Sequence, residues 1–214
     1  IIPEIYQAIK NISALDCLAK ISTEKSRINR WGGLVFSPVA LNHYFRKILL
    51  EPHDWLIWNK KKNQYQEPII KFSDDSTVRG ADRFRSMDGL KNKVGLEVQC
   101  GKYAFIGYDI FSKMIIFNKL GLIDFGIEIV PVQEMIYCMS TGVSAFEHIM
   151  IDFRYRGEAD IDIPVLVLGI GPTIEEWQEV EQVQDQFRQD RQQIIDNYPN
   201  IRRFQRRASK LGPK

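Results

Sequence analysis

The chain has 214 residues, 44% hydrophobic and 26% charged, with a formal net charge of +2. This is the composition of a globular protein with a substantial core. A charge so close to neutral excludes a uniformly basic nucleic-acid binder, so a DNA footprint must come from local clustering. No apolar run approaches a membrane span, and no membrane partner is expected.

Pro3 to Ile9 opens a helix with Pro in the first turn and an apolar stripe of Ile5, Ile9 and Ile12. Ser22 to Arg30 is polar and reads as a solvated loop or as a segment that touches phosphate. Ser37-Pro38 pairs an N-cap with Pro at N1 and starts a second helix, ended by Pro52. Its core face is Val39, Leu41, Tyr44, Phe45, Ile48 and Leu49. Trp55 and Trp58 read as packing residues and 59–63 as an exposed basic turn. Residues 63–85 hold two extended pieces that end in Arg79, Arg83 and Arg85. The spacing from Ala104 to Met114 predicts a helix with Phe105, Tyr108, Ile110, Phe111 and Met114 as a broad apolar surface. Phe125 to Pro131 reads as a strand, Gln133 to Met139 as a short helix or loop, and Ala145 to Phe153 as a helix. Pro164 to Pro172 is a continuous apolar run between Gly and Pro, which predicts a fully buried strand. Helices alternating with buried strands give an α/β class.

Beyond Pro172 the composition changes to an acidic helical stretch and then to an Arg-rich end with Arg202, Arg203, Arg206, Arg207 and Lys210. The expected division is therefore a main domain over 1–172 and a helical extension over 173–214. Cys17, Cys100 and Cys138 are odd in number and far apart, which suggests free thiols in a reducing, cytoplasmic setting. No His/Cys zinc spacing is present. The chain opens on Ile1-Ile2-Pro3 and shows no signal-peptide pattern.

The chemistry concentrates in 86–102. Val94 to Val98 reads as a strand, and Glu97 and Gln99, two apart, share one face of it. Asp88 precedes Glu97 by nine residues, and a hairpin through the turn signal Asp88-Gly89 would return Asp88 to its side. Two carboxylates and an amide are an oxygen site of the kind Mg2+ takes, with waters and phosphate completing it. A solvated strand face after an ordinary Asp-Gly turn accounts for the same residues, and spacing alone leaves both open.

Several stretches in fixed order carry a further signal. They are 36–42, Glu97-Val98-Gln99-Cys100-Gly101-Lys102-Tyr103, Tyr108-Asp109, 126–131, Met139-Ser140-Thr141-Gly142 and 164–170. Together they resemble the BglII/BstYI branch of the type II restriction endonucleases, on its BstYI-like side, over residues 1–172. The resemblance implies a central mixed β-sheet flanked by helices and a Mg2+-dependent endonuclease acting as a homodimer on double-stranded DNA. A cognate DNA methyltransferase is then the expected genetic partner. The branch departs from the PD-(D/E)xK pattern by placing Gln where most relatives have Lys, and Gln99 shares that departure. Carried across, Asp88 and Glu97 are the metal-binding acids and the Val98 carbonyl is a further candidate ligand. Gln99 would position the attacking water or the scissile phosphate, because a neutral amide is a poor base. The metal would polarise the phosphate and lower the pKa of its water, giving in-line hydrolysis.

The same resemblance implies a palindromic site with a GATC-like core. Lys102, Ser140 and Thr141 would face the major groove, where Lys donates to guanine and a hydroxyl serves either base. Thr141 stands where the branch has Ser, which bears on the outer base pair. Read as residues alone, Ser140-Thr141-Gly142 is an ordinary turn. The alternative function is a catalytically silent, sequence-specific DNA-binding protein on the same fold.

Overall fold

A computed structural model describes residues 1–57, 69–71, 84–157 and 162–210. Trp58, the basic turn at 59–63, Arg79, Arg83 and the side chains at 206–210 lie outside the described residues.

The N-terminal part is helical. α1 (Ile2–Asn11) carries Pro in its first turn and buries Ile5 and Ala8. α2 (Ala14–Cys17) follows, and then β1 (Lys20–Ile21) pairs antiparallel with β2 (Leu34–Val35). Between them the residues expected to be a loop form α3 (Lys25–Trp31), which Gly32 closes in the left-handed conformation at φ 64°. A glycine C-cap stops a helix there without a Cβ penalty. α4 (Pro38–Phe45) starts as expected, with Ser37 Oγ accepting from Ala40 N, and runs on as a π turn over Arg46–Leu50. Leu41, Phe45 and Leu49 of the expected face are buried, and Trp55 packs in the same core.

β3 (Ile69–Lys71) and β4 (Phe84–Ser86) make a two-stranded ribbon. The central sheet then has four strands in the order β5 (Gly89–Lys91), β6 (Val94–Val98), β7 (Phe125–Pro131), β8 (Val165–Ile170). β5 runs antiparallel to β6, while β6, β7 and β8 are parallel, so the sheet is mixed. The hairpin between β5 and β6 turns at Asn92-Lys93, with φ of 48° and 61°, and not at Asp88-Gly89. Two successive positive φ values are the mark of the tight turn whose twist suits a hairpin. Gly89 pairs with Leu96, so Asp88 is nevertheless delivered opposite Glu97.

α5 (Tyr103–Tyr108), a π turn over Asp109–Lys113 and α6 (Met114–Lys119) cross from β6 to β7. α7 (Gln133–Tyr137) and α8 (Phe146–Arg156) cross from β7 to β8. The inward stripe of the first crossover is Ile106, Ile110, Met114 and Phe117, while Phe105 is 52% exposed. Of the expected surface Ile110 and Met114 are fully buried, Tyr108 and Phe111 are half-buried, and Ile106 takes the inward place expected of Phe105. β8 is also less enclosed than its apolar sequence suggested: Val165 to Leu168 are half-buried and Gly169 is exposed. Among the described residues it is the terminal strand of the sheet and has a neighbour on one edge only.

Strand alternation sorts the sheet into two faces. Leu96, Val98, Ile127 and Ile129 face the main core, with Phe45, Leu49 and α1. Val130 and Val167 face the opposite way, against Ile106, Ile110 and Ile149. α9 (Ile174–Gln189), α10 (Arg191–Asn197) and α11 (Pro199–Lys210) follow the last strand. Val180, Val183, Phe187, Ile194 and Ile201 join the main core. Cys17, Cys100 and Cys138 are free and buried.

Candidate active site

β6 presents Leu96 and Val98 to the main core, so Glu97 must point to the other face. Parallel pairing puts Glu97 level with Glu128 of β7 and Glu128 level with Val167 of β8. Two glutamates therefore stand side by side on the face that α5 and its π turn cover. From that π turn Asp109 and Lys113 point back at the sheet, and both are buried. Lys113 Nζ lies 2.7 Å from Glu97 Oε1 and 2.6 Å from Asp109 Oδ1.

Gln99, two residues beyond Glu97, joins the same group. Its Nε2 donates to Asp109 Oδ2 at 3.1 Å, and its Oε1 accepts from Gly101 N at 2.9 Å. A Cβ at position 101 would sit 2.7 Å from Gln99 Oε1, so a side chain there would push the amide out of this position. Asp88 arrives from the other side of the hairpin, and its Oδ2 accepts from Val98 N at 2.9 Å. Asp88, Glu97 and Gln99 thus lie in one neighbourhood, linked through Val98 N, Lys113 and Asp109 and not by direct side-chain contact with one another.

Electrostatics set this group apart from the rest of the molecule. Lys113 is the one buried cation among the described residues, and Glu97, Asp109 and Glu128 are buried with it. Glu128 is 0% exposed, and neither of its carboxylate oxygens has a hydrogen-bond partner. Burial, followed by the charges of Asp109 and Glu97, holds the Glu128 carboxyl well above the usual carboxylate range. Burial and then the Asp88 charge push Glu97 well up too, against the pull of Lys113. Asp88 is crowded by protein, which raises its carboxyl, while the Val98 amide and Lys113 draw it down. Its side chain still reaches solvent, so water screens it and its shift counts for less than that of Glu97. Burial works to lower the Lys113 ammonium, but Glu97 and Asp109 together overcome it and hold it above the ordinary lysine value.

The donor set is oxygen throughout and has more acids than cations, which suits a hard divalent ion. Among the described residues no three Asp, Glu, His or Cys side chains close into a ready-made metal cage. Mg2+ does not need one, since it is usually bound by one or two carboxylates, with waters and substrate phosphate completing the shell.

The residues expected to read DNA also meet. Lys102 forms an isolated antiparallel bridge with Val143, which sets it beside the Ser140-Thr141-Gly142 turn. Lys102 and Thr141 are exposed. Ser140 Oγ accepts from Lys20 Nζ of β1. Thr141 N donates to the Glu24 carboxylate, at 3.1 Å to Oε2.

The profile of the restriction endonuclease BglII/BglIII family matches residues 1–170. The chain belongs to that family. Its members are type II restriction endonucleases, and the chain is one of them. The solved structure of restriction endonuclease BglII complexed with a DNA 16-mer superposes with a TM-score of 0.57 at 17% identity, covering 81% of this chain and 70% of that one. That likeness shows the fold, a mixed sheet flanked by helices. Free BglII gives a TM-score of 0.47 at 16% identity, over 81% of this chain and 74% of that one. No curated protein sequence matches the chain.

Within this BglII-type scaffold the sequence reading missed Asp109, Lys113 and Glu128 as partners of the site, and Lys20 and Glu24 as braces of the 140–142 turn. Two signals were available. Glu128 is the one charged residue in the apolar strand Phe125 to Pro131. Asp109 and Lys113 are spaced i, i+4 inside an otherwise apolar helical stripe, where a charged pair needs a buried reason.

The raised carboxyl of Glu128 has a signed consequence. The folded chain holds a proton there that the unfolded chain releases near the ordinary Glu value, so stability falls as pH rises above that value. In EDTA the melting temperature should decline from pH 5.5 to pH 8, and Glu128→Gln should flatten the decline. Equal slopes for both proteins in a thermal-melt series would remove Glu128 as the cause.

Proposed function

We propose that this type II endonuclease hydrolyses DNA phosphodiesters with Mg2+, at a short palindromic site with a GATC-like core. The observation that carries the reading is the β5–β6 pairing, which brings the accessible Asp88 carboxylate level with the buried Glu97 beneath one helix. In this reading Asp88, Glu97 and the Val98 carbonyl hold Mg2+. When bound, Mg2+ supplies Lewis-acid polarisation of the phosphate and a water acidic enough to attack at neutral pH. Gln99 orients that water through the amide capacity left over from Asp109 and Gly101. It does so as a donor and acceptor and not as a base.

Double-stranded DNA is the partner, supported by the shared fold with BglII, which was crystallised on a DNA 16-mer. A homodimer suits a palindrome because two-fold symmetry in the protein mirrors that of the site. A cognate methyltransferase would protect the host sequence. The 1–172 and 173–214 division is retained as an organisation of catalytic body and extension. A silent DNA-binding protein remains the alternative, and the intact set of Asp88, Glu97 and Gln99 argues against it.

Asp88→Ala and Glu97→Ala should each abolish plasmid cleavage in Mg2+ while DNA binding in Ca2+ survives. Each removes a metal ligand and leaves the groove contacts alone. Cleavage at the wild-type rate in either variant would sink the metal assignment.

Lys102, Ser140 and Thr141 are proposed to read base edges. Lys102→Ala should then cost about 1–3 kcal/mol on the cognate duplex and much less on a scrambled one. Equal loss on both duplexes, with the salt slope reduced by about one unit, would make Lys102 a phosphate contact instead.

Sedimentation should give a dimer, both free and on DNA. The expected face is the helix around Phe105 to Met114, where Phe105 is exposed, or the Val39–Leu49 helix, whose Leu41, Phe45 and Leu49 are however buried within the chain's own core. A monomer under both conditions would exclude the symmetric reading.

A further inference from the structure

The site is acidic throughout its protein shell, and Gln99 carries no charge where a lysine is the commoner choice on this scaffold. The one buried ammonium enters from a different element. Lys113 reaches down from the π turn of the first crossover and touches Glu97 Oε1 and Asp109 Oδ1 at 2.7 and 2.6 Å. Asp109 in turn accepts from Gln99 Nε2 through its other oxygen. One ammonium thus fixes Glu97 directly and Gln99 through a single intermediary. No other buried cation is present among the described residues.

We infer that Lys113 is the positioning residue of the cleavage site, setting the Glu97 carboxylate and the Gln99 amide from the crossover helix. This rests on the Mg2+ reading given above. With Lys113 ion-paired to Oε1 at 2.7 Å, the second oxygen of Glu97 would be the one left for a bound ion, which would then meet the carboxylate in one orientation and not in several. Asp109 passes the same restraint to Gln99, whose Oε1 is already pinned to Gly101 N. Asp109 and Lys113, spaced i, i+4 within the π turn, lie together beside Ile110 and Met114 on the buried side of the crossover. Residues behind a metal ligand, acting on its orientation, commonly change metal affinity or activity by about 10–100-fold when removed.

Two roles for Lys113 predict opposite signs in Lys113→Met, and in the paired variant, whose net charge is unchanged, charge balance alone predicts unchanged divalent binding. If it only balances charge, its loss leaves the site more negative, and divalent cations bind as well or better. If it positions Glu97, its loss weakens them although the site has become more negative. The test compares wild type, Lys113→Met and the paired Lys113→Met/Asp109→Asn, which removes both members of the ion pair. The pair keeps the test valid where Lys113→Met alone fails to fold. Calorimetric titration of the free chain with Mn2+ and the Mg2+ concentration for half-maximal plasmid cleavage are both measured, with melting temperature as the check on folding. In each variant that melts like wild type, Mn2+ binding should weaken and the half-maximal Mg2+ concentration should rise, both by about 10–100-fold. DNA binding in EDTA should be unchanged. Mn2+ binding that is unchanged or tighter, with cleavage at the wild-type Mg2+ dependence, would overturn the assignment. Asp88→Ala or Glu97→Ala retaining wild-type Mn2+ binding and cleavage would instead overturn the Mg2+ reading, so the two failures are distinguishable.

Discussion

The arrangement of this molecule turns on one buried ion cluster, Glu97–Lys113–Asp109, pressed between the sheet and the crossover helix. Removing an ion from water costs roughly several kcal/mol, and a buried pair seldom recovers all of it. Here the balance is worse than for a simple pair, because Glu128 shares the pocket without a hydrogen-bond partner. The next position in the same register row is Val167, packed against Ile106 and Ile110. Apolar residues at 97, 109, 113 and 128 would extend that packing and would be at least as stable. Charges kept at a stability cost are the signature of a site held for chemistry.

Three local devices bring the cluster together. The tight turn at Asn92-Lys93 sets the β5–β6 register that carries Asp88 to Val98. Parallel pairing of β6 with β7 lines up Glu97 and Glu128, and a one-residue slip would send either to the apolar core face. The π turn at Asp109–Lys113 presents two polar residues on a stripe that otherwise packs as Ile106, Ile110 and Met114. Each device lies in the backbone, and each fixes a side chain that could not be placed by its own rotamers alone.

Much of this was legible in the sequence. Apolar and β-branched composition made β6 and β7 legible as strands, and the pairing of Asp88 with Glu97 followed from hairpin logic although the turn lies at Asn92-Lys93 and not at Asp88-Gly89. Asn92-Lys93 was passed over because Lys at a positive φ is uncommon, whereas Asp-Gly is an ordinary turn signal. The helix from Ala104 to Met114 was visible and so were Ile110 and Met114 of its inward face, but not Ile106, because Phe105 is the bulkier apolar residue beside it. β8 looked fully enclosed because apolar composition does not say which strand lies at the edge. Lys113 and Glu128 stayed hidden because one charge among apolar residues reads as surface until pairing and packing give it neighbours.

The residues proposed for catalysis and for recognition meet over four residues. Gln99 Oε1 is held by Gly101 N, Gly101 O accepts from Ser144 N, and Lys102 bridges to Val143. The end of the catalytic strand is therefore tied to the turn that carries Ser140 and Thr141. That turn is braced from outside by Lys20 and Glu24. Behind it stands the extension: Gln184 of α9 donates to Leu34 O and to Cys138 Sγ, just before the turn begins. A shift of the turn would pull on the hydrogen bond that holds the Gln99 amide. A base contact made at Thr141 would be felt at Gln99 by the same route. The residues proposed for recognition and for cleavage are in this way held by one short stretch of backbone, with α9 as its support.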